Sequence, residues 1–291
     1  MPNMNFKEFL IECILFMSGI TAVIVVALIM LFLFVEGIAL FSRVNPIDFL
    51  FGKYWYPTSE PPIFGLLPLI TGSLVVTTGA ILFSAPLGVI CAIYIAEIAP
   101  PTLKEIIKPI IEILAGIPSV VFGFFGLVIL VPFIQNTFGL PTGQTALAGS
   151  IMLGIMALPT IISISEDAIT AVPIYLKEGS LALGATQWQT IKNVIVPSAI
   201  SGITAAVMLG IGRAIGETMT VMMVTGNAAV IPSGFLQSVR TMTATIALEM
   251  GEAPQGGDHY HALFAIGIAL FIMTFIINLI ADYVQEKYKI T

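Results

Sequence analysis

The stretch that decides the fold runs from Ile113 to Ser165 and reads ILAGIPSVVFGFFGLVILVPFIQNTFGLPTGQTALAGSIMLGIMALPTIISIS. None of its 53 residues is charged. A helix that crosses a membrane needs about 20 apolar residues, so this stretch has room for two crossings and a turn. Turn-forming residues stand near its middle: Asn136, Gly139, Pro141 and Gly143. Hydrocarbon offers no partner to a bare backbone group, and both crossings are therefore predicted to be helices.

The composition of the whole chain agrees with a membrane environment. Of the 291 residues, 57% are hydrophobic and 10% are charged, whereas an ordinary soluble domain has about 25% charged residues. So few charges could not cover the apolar surface of a soluble domain, but lipid can solvate that surface. The net charge of −6 and the lack of a basic run argue against nucleic-acid binding.

Four further crossings follow from the other uncharged runs. They are placed at Cys13–Val35, within Pro61–Ala96 from about Leu66, from near Ser198, and at Ala262–Ala281. A short helix near Thr241–Met250 is also possible, but it is too short to span. The sequence thus predicts an all-α membrane protein with about six transmembrane helices.

The distribution of basic residues predicts the orientation. With the N-terminus inside, the inner segments carry seven lysines, whereas the outer segments carry three basic residues. Inner loops of membrane proteins are enriched in Lys and Arg. We therefore expect both termini in the cytoplasm and the protein in a prokaryotic plasma (inner) membrane.

The segment KEGSLALGATQWQTIKNVIVP at 177–197, between the fourth and fifth crossings, has an amphipathic pattern. Apolar side chains recur in it at helical spacing: Leu181, Trp188, Ile191 and Ile195. We expect one apolar helix face with Gly184 as a notch and Pro197 as the stop. Such a helix would either dock a cytosolic partner or rest on lipid headgroups, and periodicity alone leaves both open.

A pair of charges stands within the fifth crossing, in GIGRAIGET at 210–218. Arg213 and Glu217 are four residues apart, so on one helix face they would pair. A charge at the bilayer centre costs about 2.5–3.5 kcal/mol, and the interior of a helix bundle or a water-filled path usually accommodates it. The pair is therefore predicted to lie in a substrate path or gate, with a packing role as the alternative. The planar fork of arginine suits an oxyanion.

Weaker signals accompany this pair. Pro118 interrupts the third crossing, which is either a pathway feature or an ordinary kink. Ser73 and Thr77 share a helix face and either contact substrate or bond back to their own helix. Gly212 and Gly216 form a GxxxG pattern that permits close helix packing within the chain or against a second subunit.

Several absences limit the chemistry. Cys13 and Cys91 lie in apolar runs and have no metal-ligand spacing. His259 and His261 lack an evident third ligand, so no metal site is expected. No lysine precedes Ser or Thr, so there is no Walker A motif. The chain is expected to hold no cofactor and to be no enzyme, and any ATP hydrolysis belongs to another polypeptide.

The run from Glu178 to Pro197 resembles the EAA loop of ABC importer permeases. Glu178, Gly184 and Pro197 stand at the family spacing, while Gly179 and Ser180 replace the two alanines. Val194 and Val196 likewise replace the Ile and Leu of the family pattern.

Two other stretches, Gly116–Val121 and Gly212–Met219, are similar to those of phosphate importer permeases. Three further stretches resemble the PstC type of these permeases rather than its sister type PstA: Phe64–Pro68, Met219–Met223 with Gly226-Asn227, and His259–Phe264.

The resemblance implies a type I ABC importer permease fold with a cytoplasmic coupling helix at about 178–197. Residues 1–65 would form an N-terminal transmembrane helix and outer loop, 66–285 the permease domain, and 286–291 a cytoplasmic tail. It implies a PstA-type permease, a dimer of ATP-binding subunits and an extracytoplasmic phosphate-binding protein as partners. The ATPase contacts would be Glu178, Gly184, Trp188 and Pro197.

The sequence leaves rival functions open. Another oxyanion such as molybdate or tungstate could be the substrate, or the chain could be the sister phosphate subunit. A membrane receptor or scaffold could use the amphipathic segment to bind a signalling partner. An intramembrane enzyme that uses Glu217 is disfavoured, because no second catalytic group stands in a crossing.

Overall fold

The computed structural model describes residues 6–287, which are largely helical. Five helices in this part of the chain are long and apolar enough to cross a membrane: Leu10–Ser42, Leu67–Ile98, Ser119–Phe138, Ala146–Thr170 and Asp258–Tyr283. A sixth crossing combines Gln187–Ser198 with Ile200–Gly216, which bend by 68° relative to each other. The prediction of about six transmembrane helices is confirmed. Of the expected tail at 286–291, residues 288–291 lie outside the described residues.

The helices are numbered in chain order. They are α1 (Phe6–Ala39), α2 (Pro46–Phe51), α3 (Leu67–Ile93), α4 (Pro101–Gly116), α5 (Ser119–Phe125), α6 (Val131–Phe138), α7 (Ala146–Thr170), α8 (Ile174–Ala182), α9 (Gln187–Thr190), α10 (Val196–Ser198), α11 (Ile200–Gly216), α12 (Met219–Val224), α13 (Met242–Glu249) and α14 (Asp258–Lys287). Wider π-helical turns follow α3, α5 and α9 at Tyr94–Ile98, Gly126–Leu130 and Ile191–Ile195.

The predicted turn between the third and fourth crossings forms at 139–145. Gly139 adopts a left-handed conformation with φ of 62° and ends α6. The hydroxyl of Thr145 then accepts a hydrogen bond from the Ala148 amide and caps the start of α7. Both ends use residue types that favour those positions, so this turn follows from local sequence.

Helices α3 and α7 form the centre of the bundle through small residues. A methyl group on Gly88 would lie 2.7 Å from the side chain of Ile161, and one on Gly149 would lie 3.1 Å from Val76. Lipid tails are as apolar as leucine, so membrane helices gain mainly from close packing. Glycine permits that approach here.

Helix α1 packs against α14 only toward the end of α1. A methyl group on Gly37 would lie 2.5 Å from Ile268, and Phe32 packs edge-on against Phe264. The earlier part of α1 exposes its apolar side chains, such as Val23 at 70%. That surface suits lipid or a neighbouring membrane helix.

The connections lie on two sides of the bundle. The Glu249 side holds residues 43–66, 139–145 and 225–257, whereas the Gly184 side holds 94–118 and 171–199. On the Glu249 side, β1 (Trp55–Tyr56) pairs antiparallel with β2 (Ile63–Phe64), a small departure from the all-α prediction. The helix expected near Thr241–Met250 is present as α13, and its eight residues are too few to span.

Candidate functional site

Two breaks between consecutive helices meet within the bundle and form the centre of the candidate site. Helix α11 ends at Gly216, and α12 begins at Met219. Helix α4 ends at Gly116, and α5 begins at Ser119. The hydroxyl of Thr220 on α12 donates to the carbonyl of Ser119 at 2.9 Å, so the two breaks are joined directly.

Arg213 lies on the last turn of α11. Its guanidinium donates to the Thr160 hydroxyl of α7 at 3.2 Å. The side chain also borders an open cleft of ≈ 630 Å³ between α11 and α14, together with Gly212, Asn278 and Asp282. This arginine thus has a neutral partner on one side and open space on the other.

The expected Arg213–Glu217 ion pair is wrong. Among the ion pairs of the described residues, which extend to 4.0 Å, none joins these two side chains. The reason is that the helix ends first: Glu217 has an extended backbone, with φ of −70° and ψ of 132°. The rule that side chains four apart share a helix face does not apply across such a break.

Glu217 holds the break in place instead. Its Oε1 accepts a hydrogen bond from the Thr220 amide at 3.2 Å. Its backbone carbonyl accepts one from the Thr243 hydroxyl of α13 at 2.8 Å. A carboxylate at a helix start satisfies amides that have no partner within the helix. Glu217 therefore connects α11, α12 and α13.

Pro118 produces a full break and not a kink within a span. A proline disfavours the helical conformation of the residue before it, and Ile117 is extended, with φ of −66° and ψ of 129°. The crossing proper therefore starts at Ser119. Helix α4 is a separate amphipathic helix with no fully buried residue.

The glycines of α11 divide into two sets. A methyl group on Gly210 would lie 2.8 Å from Ile161, and one on Gly202 would lie 2.4 Å from Ala168, so both pack within the chain. A methyl group on Gly212 or Gly216 would meet no atom within 4 Å. The GxxxG pattern therefore faces open space next to Arg213.

Ser73 and Thr77 are both buried, at 5% and 8% exposure. The Ser73 hydroxyl accepts a hydrogen bond from the amide of Met242 at 3.0 Å. Ser73 thus fixes the start of α13 on α3. Contact of either residue with a substrate stays a prediction.

The expected single helix at 178–197 is wrong. The Gly184 segment, defined here as residues 174–198, consists of α8, a turn at Gly184, and a second helix that runs from α9 through the π-helical turn to α10. Ile191 and Ile195 are buried, at 3% and 2% exposure, whereas Trp188 is 63% exposed. Those side chains therefore do not share one apolar face. Glu178 and Pro197 are exposed, as contacts to a partner require.

Gly184 forms the turn itself. Its φ is 88°, in the left-handed region. The Gly184 amide donates to the Leu181 carbonyl at 2.9 Å, and the Ala185 amide donates to the Ser180 carbonyl at 3.3 Å. This pair of bonds is the Schellman motif, which ends helices at a left-handed glycine. A backbone requirement thus explains Gly184, which the sequence pattern predicts to be a notch.

Sequence reasoning missed a cluster of four residues on the Glu249 side, named here the Glu249 cluster: Trp55, Arg240, Glu249 and His259. The carboxylate of Glu249 accepts from Trp55 Nε1 at 3.0 Å and pairs with Arg240 at 2.6 Å. His259 Nε2 lies 2.9 Å from Oε2, the same oxygen that Trp55 contacts at 3.0 Å, while Arg240 pairs with Oε1. Arg240 and His259 lie 9 and 10 residues from Glu249, whereas Trp55 lies 194 residues away. No helical or strand period relates these positions, so no local pattern could reveal the cluster.

The histidines have carboxylate neighbours and not a metal arrangement. His261 Nδ1 lies 3.2 Å from Glu36 Oε2, while His259 contacts Glu249. Within residues 6–287, no group of three potential ligands is arranged to hold a metal ion.

Charged contacts also organise the Gly184 side. Lys177 Nζ on α8 lies 2.5 Å from Glu97 Oε2, in the π-helical turn after α3. Lys108 of α4 lies 2.8 Å from Glu166 Oε2 and 3.5 Å from Asp167 Oδ1. The hydrogen bond to Glu166 raises the pKa of Lys108 above its ordinary value of 10.5, so the ammonium form is favoured.

A bundle of about six crossings makes the chain a multi-pass membrane protein. Two joined helix breaks with an arginine beside an open cleft are typical of a membrane transporter. The family comparison agrees. The chain belongs to the family of binding-protein-dependent transport system inner membrane components, whose model matches residues 84–290.

Similar proteins carry names of the same kind. A probable ABC transporter permease protein, YqgH of Bacillus subtilis, is 45% identical over 90% of this chain and 85% of its own. The phosphate transport system permease protein PstC of Mesorhizobium japonicum is 38% identical over 82% of this chain and 78% of its own. PstC of Haemophilus influenzae is 34% identical over 84% of this chain and 82% of its own.

Solved structures show the fold. A chain of a bacterial alginate ABC transporter superposes with a TM-score of 0.68 at 16% identity, covering 98% of this chain and 96% of its own. A chain of the methionine ABC transporter MetNI superposes with a TM-score of 0.61 at 20% identity, covering 79% of this chain and 99% of its own. The fold is that of a type I ABC importer permease, a membrane subunit that is not itself the ATPase. Such importers combine permeases with an ATPase and a binding protein.

Proposed function

We propose that this chain is the PstC-type permease subunit of an ATP-driven importer that moves inorganic phosphate across the plasma membrane. The observation that carries the proposal is Arg213, which stands at a helix break beside an open cleft. Its guanidinium can donate two parallel hydrogen bonds to an oxyanion. The similarity to permeases named for phosphate transport supports the choice of anion.

The translocation pathway lies, in this proposal, between this chain and a second permease of the PstA type. Gly212 and Gly216 leave an open small-residue face next to Arg213, which lets another helix approach closely. Phosphate would then pass along a boundary that the arginine borders. Glu217 holds the neighbouring break in position and does not neutralise the arginine.

The Gly184 side is placed in the cytoplasm, together with both termini, because the lysine excess lies there. A dimer of ATP-binding subunits would bind the Gly184 segment, where Leu183 is 91% exposed and Trp188 63%. Glu178, Gly184 and Pro197 would complete the contact. ATP hydrolysis belongs to that separate subunit, and no cofactor is assigned to this chain.

The Glu249 side is placed outside and would receive the phosphate-binding protein. Its connecting segments carry more acidic than basic residues, so a free anion is not drawn to them. Delivery by a carrier protein fits that charge. Residues 1–65 would serve as N-terminal helix and outer loop, 66–285 as the permease domain and 286–291 as a cytoplasmic tail.

Reconstitution tests the proposal. The chain would be co-expressed with its PstA-type and ATP-binding partners, purified, and placed in liposomes that contain ATP, with the binding protein outside. We expect ATP-dependent uptake of labelled phosphate. Uptake of molybdate or tungstate in its place would identify another oxyanion, and failure of an ATPase to co-purify would favour a receptor or scaffold.

A further inference from the structure

Glu97 contacts both halves of the Gly184 segment at once. Its carboxylate Oε2 lies 2.5 Å from Lys177 Nζ of α8. Its backbone carbonyl accepts a hydrogen bond at 3.1 Å from Gln187 Nε2, at the start of α9. The two partners lie on opposite sides of the turn at Gly184. One residue at the end of α3 therefore holds the two short helices in one arrangement.

The two halves of the segment are attached differently. Ile191 and Ile195 are buried in an apolar cluster with Ile95, Ile162 and neighbouring residues. Helix α8 has no fully buried residue. Two polar contacts therefore hold α8: the Lys177–Glu97 pair, and a hydrogen bond at 2.9 Å between the Ser180 and Thr190 hydroxyls. Of these two, only the Lys177–Glu97 pair attaches α8 to the turn that continues α3. The side chain of Glu97 is 9% exposed and that of Lys177 is 35% exposed, so water screens this charge pair in part.

The element that carries Glu97 connects the two sides of the membrane. Glu97 lies in the π-helical turn that continues α3, and such wide turns are frequent at functional sites. At the other end of α3, Ser73 accepts the hydrogen bond from the Met242 amide of α13. Helix α3 is therefore in direct contact with the Gly184 segment at one end and with α13 at the other.

We propose that Glu97 is a positioning residue that clamps α8 to α3, so that movement of the Gly184 segment is transmitted along α3 toward α13. The inference rests on the proposed function, in which an ATPase moves that segment. Without the clamp, α8 would move with the ATPase while α3 stays in place. ATP would still be hydrolysed, but less phosphate would cross for each ATP.

The first test needs neither substrate nor ATPase. The purified full chain in nanodiscs is digested briefly with trypsin, and cleavage after Lys177 is compared with cleavage after Lys192. Glu97→Gln keeps the carbonyl contact to Gln187 and removes the charge that holds Lys177. We expect cleavage after Lys177 to rise about 5- to 30-fold, while cleavage after Lys192, which Ile191 and Ile195 anchor, stays unchanged.

The second test measures coupling in the reconstituted importer. Glu97→Gln and Lys177→Gln should each lower phosphate uptake per ATP hydrolysed several-fold while the ATPase still co-purifies. The exchange Glu97→Lys with Lys177→Glu should recover much of the loss. Asp167→Asn serves as the control, because that carboxylate lies at the same side but is 66% exposed.

The outcomes separate the two proposals. Unchanged cleavage after Lys177 in Glu97→Gln, or an equal rise at both lysines, would overturn the clamp. So would a normal ratio of uptake to hydrolysis in both single variants. If the wild-type importer takes up no phosphate while the cleavage pattern is as expected, the proposed function fails and the clamp stands.

Discussion

Substitution of Gly184 tests whether a backbone conformation or an open notch is what the Gly184 segment requires. The φ of 88° is one that residues with a side chain rarely adopt, and a methyl group there would meet no atom within 4 Å. Gly184→Ala should therefore lower the stability of the turn by about 1–2 kcal/mol, because alanine is strained in the left-handed region. The added methyl group itself should collide with no neighbouring atom. The fraction of molecules in which this turn is unfolded should rise by about 5- to 30-fold.

Gly179 provides the matched control. It lies within α8, and a methyl group there would also meet no atom within 4 Å. Because its conformation is helical, Gly179→Ala should stabilise α8 by about 0.5–1 kcal/mol. The two substitutions add the same atom in equally open space and should change the stability of the segment in opposite directions.

Gly184→Asn separates the two explanations. Asparagine tolerates the left-handed region better than alanine but is larger. If the backbone conformation of the turn is what matters, the Gly184→Asn variant should bind the ATP-binding subunit better than the Gly184→Ala variant, as measured by co-purification. Its Lys177 should also be better protected from trypsin. A worse defect in Gly184→Asn than in Gly184→Ala would refute the backbone argument and favour the notch. A harmless Gly184→Ala would refute both.

Three further substitutions, two of them with a control substitution, address the rest of the site. Glu249→Gln should lower the free energy of unfolding by about 2–3 kcal/mol, as measured by thermal unfolding. This is less than for a fully buried ion pair, because its partner Arg240 is 22% exposed. The control is Arg43→Gln, which breaks the exposed pair with Asp258 and should lower the free energy of unfolding by under about 1 kcal/mol. Arg213→Lys should lower phosphate uptake by about 10- to 100-fold with assembly intact, since it loses the bidentate fork, and normal uptake would exclude anion contact. Ser73→Ala should cost about 1–3 kcal/mol because the Met242 amide loses its partner, whereas Thr71→Ala, whose hydroxyl bonds to its own helix, should change stability little.

The crossings could be predicted from the sequence because hydrocarbon leaves so few alternatives. An uncharged run of sufficient length must form a helix there, and the six expected segments match helices of the structure. The turn at 139–145 could also be predicted, because Gly139, Pro141 and Gly143 favour turns and Gly139 is the residue type that ends helices. The cap of α7 by Thr145 was not part of that prediction.

The helix breaks were harder to predict. Arg213 and Glu217 fit a helical pattern, and nothing in their spacing says that the helix ends at Gly216. Gly184 also fits the period of a continuous helix, whereas its left-handed φ depends on the chain turning back. Partners such as Trp55 and Glu249, 194 residues apart, become neighbours only when the whole bundle forms.

The break between Arg213 and Glu217 changes what each residue is expected to do. A preformed ion pair would have to open before the guanidinium could receive an anion, and the separation of the charge would oppose binding. In the structure Arg213 donates to the neutral Thr160 hydroxyl, a partner that an anion can replace at smaller cost. Glu217 instead joins three helix ends. Changes at Arg213 should therefore alter transport with little effect on assembly, whereas changes at Glu217 should alter stability first. The two residues thus act as separate parts of one junction.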